Sequence, residues 1–226
     1  MRLVFASNNA HKLDEVRAIM PAGVEVLSLK EIGFEAEIEE NGKTLEENSL
    51  IKAQTVWAWM NDKMVHGQMV NTLDGVFADD TGLEIDALDG RPGVYTARWY
   101  YRNDGISAAA PLDDAPAVLT NEKMIFAANR AKALRELAGK TNRGAQFRTV
   151  ITLIRPSAIS SQDTVIQVAG VVRGRIAEEE YGEGGFGYDP IFIPEGYNKT
   201  FGELPADVKN GISHRARALE ELVKIL

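Results

Sequence analysis

Leu3 to Ala6 form a short apolar run that stops at Ser7, Asn8 and Asn9, after which Leu13, Val16, Ile19 and Met20 recur at helical spacing. A strand that hands over to a helix through three polar residues commits the start of the chain to a βα arrangement, with that loop at the helix N-terminus. The change of period then returns. Thr44 and Glu47 have capping-box spacing ahead of Leu45, Ile51, Val56 and Met60, which predicts a second helix after the acidic, glycine-containing stretch 36 to 43. Val76 to Ala78 read as a strand entering Asp79, Asp80, Thr81 and Gly82, and Leu83, Ile85 and Ala87 alternate with Glu84 and Asp86. Two acids are therefore expected at a strand end.

Residues 100 to 120, rich in Asp, Ala, Asn and Pro, read as a surface insertion before a helix carrying Met124, Ile125, Ala128, Leu134 and Leu137. Phe147 to Ile154 and Thr164 to Val172 are β-rich runs on either side of Pro156 and a serine cluster, simplest as a hairpin. Ser213 is placed to cap a last helix with Ala218, Leu219, Leu222, Val223 and Leu226 on one face. At 226 residues and 45% hydrophobic, the chain has room for one large α/β domain or two closely joined lobes, and can bury a sizeable core.

A net charge of −8 disfavours general adhesion to nucleic acid or anionic lipid, so any phosphate must be held locally. Zero cysteines exclude disulfides, thiolate metal sites and cysteine nucleophiles. The sequence has no apolar stretch of about 18 residues, and Met1 leads straight into a strand-like run, so a cytoplasmic protein without a membrane span is expected. Gly182, Gly184 and Gly187 satisfy G-x-G-x-x-G, but Pro190 and the β-like Ile191 to Ile193 follow where a dinucleotide fingerprint needs a helix. Gly139, Lys140 and Thr141 end like a phosphate loop whose first glycine would fall on Leu134, inside a predicted helix.

Ser7, Asn8, Asn9 and Lys12 lie where helix N–H groups and the helix dipole favour an anion, although an ordinary capped βα loop has the same polar residues. Lys12 tells the two apart, since a capping loop has no need of a cation one turn into the helix. Glu39 and Glu40, with Asp79 and Asp80, could converge on a hard divalent cation such as Mg²⁺ or could simply cap, turn and stay solvated. Phe186 and Tyr188 place aromatic faces in a glycine-rich loop, where stacking on a base and ordinary core packing are both open. Lys199, Lys209, His214 and Arg215 supply donors near the end of the chain, or a solvated face. His11, His66 and His214 lack metal-ligand spacing, which argues against zinc.

Read in order, the segments Ser7 to Lys12, Glu39 to Gly42 with Glu47 and Asn48, Ala78 to Leu83, Gly184 to Pro190 and Ile212 to Arg215 resemble the inosine/xanthosine triphosphate pyrophosphatases. That resemblance implies one domain over 1–226 with a mixed α/β fold, an elongated sheet with flanking helices, and two lobes around a central active-site cleft. It also implies a homodimer and Mg²⁺-dependent release of pyrophosphate from ITP, dITP or XTP. Carried over by position, Ser7, Asn8, Asn9, Ala10, His11 and Lys12 would contact the triphosphate, and Thr81 stands where the family often has serine. Glu40 and Asp80 would serve the metal, Asp80 would accept the proton of water, and Lys12 would assist catalysis. Phe186, Gly187, Tyr188 and Asp189 would form the base pocket, with Lys209, His214 and Arg215 reaching the phosphates or the purine edge. His11 replaces a common glycine, and residues 61 to 75 are longer than the family pattern. A pyrophosphatase for modified pyrimidine nucleotides and a non-catalytic nucleotide-binding regulator are the alternative readings.

Overall fold

The opening apolar run becomes β1 (Arg2–Phe5), and the polar stop becomes the entry to α1 (Ala10–Ile19), capped by Asn9, whose side chain accepts the Lys12 N–H at 3.1 Å. In chain order there follow β2 (Glu25–Ser28), α2 (Leu45–Val65), β3 (Gly75–Ile85), β4 (Pro92–Gly93), α3 (Glu122–Glu136), β5 (Gly144–Arg155), β6 (Thr164–Ile176), β7 (Phe192–Pro194), α4 (Ala206–Ile212) and α5 (His214–Val223). The computed structural model describes residues 1–65, 73–101, 121–157 and 162–226. These fall into two units, one of residues 1–81, 147–171 and 210–226, the other of 82–146 and 172–209.

The first unit is a three-layer arrangement. β1 pairs in parallel with β2 on one side and with β3 on the other, and the strand order continues to β5 and β6. Side chains alternate across a strand, and this sheet buries both faces. Val4, Ala6, Val76, Ala78 and Ile154 pack with Ala53, Val56, Trp57 and Met60 of α2. Leu3, Phe5, Phe77, Ile151 and Leu153 pack with Val16 of α1 and with Ala218, Leu219 and Leu222 of α5. Phe5 and Phe77 stack at 5.0 Å on that second face. Burying two aliphatic layers at about 25 cal/mol per Å² is the dominant favourable term for such a unit.

The helix boundaries follow the capping chemistry. Thr44 Oγ1 accepts the Glu47 N–H at 3.1 Å, while the Glu47 carboxylate reaches back to the Lys43 N–H at 2.5 Å, one residue earlier than in the standard box. Ser213 caps α5, its hydroxyl accepting the Ala216 N–H. Gly170 on β6 lets α5 approach closely, since a Cβ there would lie 2.2 Å from the His214 carbonyl oxygen. β5 and β6 are neighbours as expected, although residues 158–161 between them lie outside the described residues.

One expectation is overturned. β3 does not end at the acids but runs unbroken through Asp79, Asp80 and Thr81 to Ile85. Alternation sends Asp79 toward α1 and α5 and Asp80 toward α2, and each meets cations there, so the strand has no reason to end. α4 was not expected.

In the second unit, the far end of β3 pairs antiparallel with β4, and the far end of β6 pairs antiparallel with β7, which makes the sheet mixed. α3 is tied to the 3-10 turn Thr96–Tyr101 by buried Asn129, which donates to the Ala97 carbonyl and accepts the Tyr100 N–H. Lys132 adds a bond to the Trp99 carbonyl and a cation–π contact at 5.0 Å to its ring. The inserted segment read at 100 to 120 falls almost wholly outside the described residues, as does part of the lengthened stretch 61 to 75. Among the described residues, no helix is long and apolar enough to cross a membrane.

Candidate active site

The register Phe5↔Phe77 ends β1 two residues before Asp79, so the Ser7–Asn9 loop and the two acids share the carboxyl end of a parallel strand pair. In open α/β sheets, that end is where ligands bind. Asn8, Ala10 and His11 are exposed there, while Ser7 and Asn9 are half-buried and linked by a bond from the Asn9 N–H to Ser7 Oγ. The first turn of α1 thus presents its positive end beside the ammonium of Lys12.

Lys12 Nζ lies 2.9 Å from Asp79 Oδ1, and Arg215 Nε lies 3.3 Å from Asp79 Oδ2. Burial opposes the charge on Asp79, but Lys12, Arg215 and Lys52 outweigh it and hold the carboxyl well below the usual carboxylate range. Arg215 also bonds Glu15 of α1. On the same side, Thr81 Oγ1 meets Thr149 Oγ1 at 2.8 Å, and Thr149 Oγ1 meets His214 Nδ1 at 2.6 Å. His214 stacks on Phe147 at 4.9 Å, so its ring is fixed in position and in plane.

Asp80 has a different environment. Asn48 Nδ2 donates to Asp80 Oδ2 at 3.2 Å, and Lys52 Nζ lies 3.3 Å from Asp80 Oδ1 and 3.4 Å from Glu40 Oε1. Asn48 and Lys52 are one turn apart on α2 and reach the same carboxylate. Burial, together with the Glu40 and Asp79 carboxylates, raises the proton affinity of Asp80 despite Lys52 and Lys12. Against the burial of Lys52, the paired Asp80 and Glu40 carboxylates and the nearby charge of Asp79 raise its proton affinity and keep it protonated. Asn48 Oδ1 also accepts the Gly42 N–H at 2.8 Å, which brings the Glu40 loop to α2. Gly42 is required there, because a Cβ would lie 2.6 Å from Asn48 Oδ1.

In the second unit, Phe186 is 37% exposed and Tyr188 is buried, its hydroxyl donating to the Thr96 carbonyl at 3.0 Å. Asp189 Oδ2 accepts both the Phe186 N–H at 2.5 Å and Lys209 Nζ at 2.6 Å, folding the loop back on itself. Gly185 and Gly187 take positive φ, which supports the reading of the glycines as a turn. Of the aromatic pair, Phe186 keeps surface for a ligand, whereas Tyr188 packs.

Sequence reasoning passed over Lys52, Asn48 as a partner of Asp80, Thr149 and Glu15. The signal for Lys52 was the i, i+4 spacing from Asn48 on the capped helix. Among the described residues, no three or more of His, Asp and Glu cluster to hold a metal by themselves. Glu40 and Asp80 do, however, give two oxygen donors already arranged around one positive charge, which fits a divalent ion completed by substrate phosphates.

The model of the Ham1 family matches residues 3–225. The dITP/XTP pyrophosphatase of Bacillus subtilis is 43% identical over 226 residues, covering 99% of this chain and 96% of the relative, and that of Flavobacterium johnsoniae is 38% identical, covering 100% and 98%. Among solved structures, the Ham1 protein of Staphylococcus aureus superposes with a TM-score of 0.74 at 33% identity, covering 100% of this chain and 97% of its own. The chain belongs to the Ham1 family.

Proposed function

We propose that the protein hydrolyses the non-standard purine nucleoside triphosphates ITP, dITP and XTP to the monophosphate and pyrophosphate. The observation that carries this reading is the pair of neighbouring acids on β3, one paired with Lys12 and Arg215, the other set beside Asn48, Lys52 and Glu40 on the opposite face. A nucleotide-binding protein needs the first; a hydrolase also needs the second. The relatives named dITP/XTP pyrophosphatases support the substrate class.

In this reading, Ser7, Asn8, Asn9, Ala10, His11 and Lys12 take the triphosphate at the start of α1. Asp80 accepts the proton of the water that attacks the α-phosphorus, the α–β anhydride bond breaks, and pyrophosphate leaves. Lys52 and Asn48 hold the Asp80 carboxylate in place, and Lys12 offsets charge on the departing phosphates. Glu40 and Asp80 would hold Mg²⁺, which when bound supplies Lewis acidity at the phosphate oxygens. Phe186 to Asp189 take the base, with Phe186 stacking. Lys209 and Arg215 already bind carboxylates, and substrate oxygens compete for the same donors, while Thr81 and His214 support the site through Thr149. A donor directed at the 6-keto group of hypoxanthine or xanthine would be left unpaired by ATP, and a site built that way rejects such an analogue by about 10⁴-fold. A cytoplasmic homodimer forming one pyrophosphatase domain over 1–226 completes the proposal.

The test is incubation with Mg²⁺ and ITP, XTP, ATP, GTP or dTTP in turn, resolving nucleotide products and assaying pyrophosphate separately from orthophosphate. Monophosphate and pyrophosphate from ITP and XTP are expected. Preference for dTTP would move the assignment to pyrimidine nucleotides, and tight binding without product would make the protein a regulator. Light scattering checks the dimer.

A further inference from the structure

Gly184, Gly185 and Gly187 leave the loop around Phe186 with more backbone freedom than any other residues would, and the Asp189 carboxylate, which accepts the Phe186 N–H, holds it from within. A second hold, from outside the loop, is one face of α3. Phe126 and Arg130 are one turn apart on the helix and so lie side by side. The Phe126 ring meets Phe186 edge to face, with centroids 4.5 Å apart and planes at 72°. Arg130 Nη1 donates to the Gly187 carbonyl at 2.9 Å, and its Nη2 lies 2.9 Å from Glu180 Oε2. The guanidinium therefore clips the loop at the residue directly after Phe186 and anchors itself on a second point of the same segment.

The fold gives up something for this arrangement. Arg130 Nε is a buried side-chain nitrogen without a hydrogen-bond partner among the described residues. Buried donors are nearly always satisfied, and exceptions concentrate where function sets the geometry. Phe126 meets Phe186 with the plane of one ring against the edge of the other, and Phe186 remains among the exposed large hydrophobic residues. We propose that Phe126 and Arg130 are positioning residues that fix the Phe186–Gly187 turn for stacking on a purine base. The assignment rests on the pyrophosphatase reading for its substrate, and on the α3 contacts for the outside hold on the loop.

Two measurements on Arg130→Met and Arg130→Lys separate these supports. In the protein without nucleotide, hydrogen exchange at the amides of residues 185–188 is expected to rise at least about tenfold in Arg130→Met, the change for losing a charge-assisted bond. Arg130→Lys should fall between the two, because one ammonium cannot reproduce a guanidinium fork. Unchanged exchange, or equal acceleration across the whole of residues 172–209, overturns the proposal. In turnover, the KM for ITP is expected to rise about tenfold in Arg130→Met with kcat within about twofold, while inhibition by inorganic tripolyphosphate, which lacks a base, stays as in the wild type. An unchanged KM, or tripolyphosphate inhibition that weakens in step with it, also overturns the proposal. Should Arg130→Met fail to fold, Phe126→Leu is read by the same two measurements and the same criteria. A wild type that turns over no triphosphate refutes the pyrophosphatase reading and with it the purine-stacking role, while exchange still decides whether α3 holds the loop.

Discussion

Asp79→Asn removes one negative charge from a site where two cations depend on it. The Asp79 side chain is 2% exposed, with Lys12 at 2.9 Å and Arg215 at 3.3 Å, and those side chains are 18% and 10% exposed. Solvent screening is therefore weak, and removing one partner of a buried pair costs about 3–5 kcal/mol. For a protein of this size each kcal/mol moves the melting temperature by about 2–4 °C, so the variant should melt about 6–20 °C lower at neutral pH. The pH dependence gives an independent check. Asp79 has a depressed folded-state pKa, so its contribution is fully present above the unfolded value of about 3.9 and is lost as pH falls toward the lower folded value. Denaturant unfolding of wild type and variant from pH 2.5 to 7 should show a gap that is constant above about pH 5 and narrows below about pH 4. A gap under about 1 kcal/mol at pH 7, the size of an exposed pair, would refute the reasoning, as would one that fails to narrow in acid.

Asp80→Asn should fold, keep its melting temperature within a few degrees, and lose turnover by about 10²–10⁴-fold in the pyrophosphate assay, the range for a lost general base. In the metal-free protein, burial and the adjacent carboxylates raise the proton affinity of Asp80, so its carboxyl should titrate above the ordinary carboxylate range when followed by NMR. Lys52→Met, which removes the main charge lowering that pKa, should move the same titration further upward. Gly170→Ala should destabilise by roughly 3 kcal/mol in denaturant unfolding, because its Cβ would meet the backbone of α5 at 2.2 Å, where little can yield. Chelation with EDTA should abolish ITP turnover, with Mg²⁺ restoring it.

Much of the first unit was legible because local chemistry and long-range packing agree there. The stop after Ala6, the Thr44–Glu47 spacing and the Ser213 cap each mark a boundary the structure keeps. Burial on both faces explains why β3 was misread. Its acids interrupt an apolar run in sequence, yet their compensating cations come from α1, α2 and α5, between 28 and 136 residues away along the chain. Lys52 was passed over for the same reason, since a lysine on a helix looks solvated until its distant carboxylates are known. α4, at seven residues, is too short to show a helical period. Tyr188 and Phe186 stand two apart in one loop with similar side chains, and nothing local tells that one is buried while the other keeps an open surface.

The uninterrupted course of β3 has a consequence for how two identical letters in a sequence acquire separate occupations. Asp79 and Asp80 are chemically the same reagent, and only the pleat distinguishes the acid paired with Lys12 and Arg215 from the acid set beside Asn48 and Lys52. Inserting or deleting one uncharged residue between Gly75 and Asp79 would turn each acid to the opposite face of the sheet while leaving the net charge and the dipeptide itself unchanged. The strand in this way acts as a sorting device, and its spacing is as much part of the chemistry as the carboxyl groups it carries.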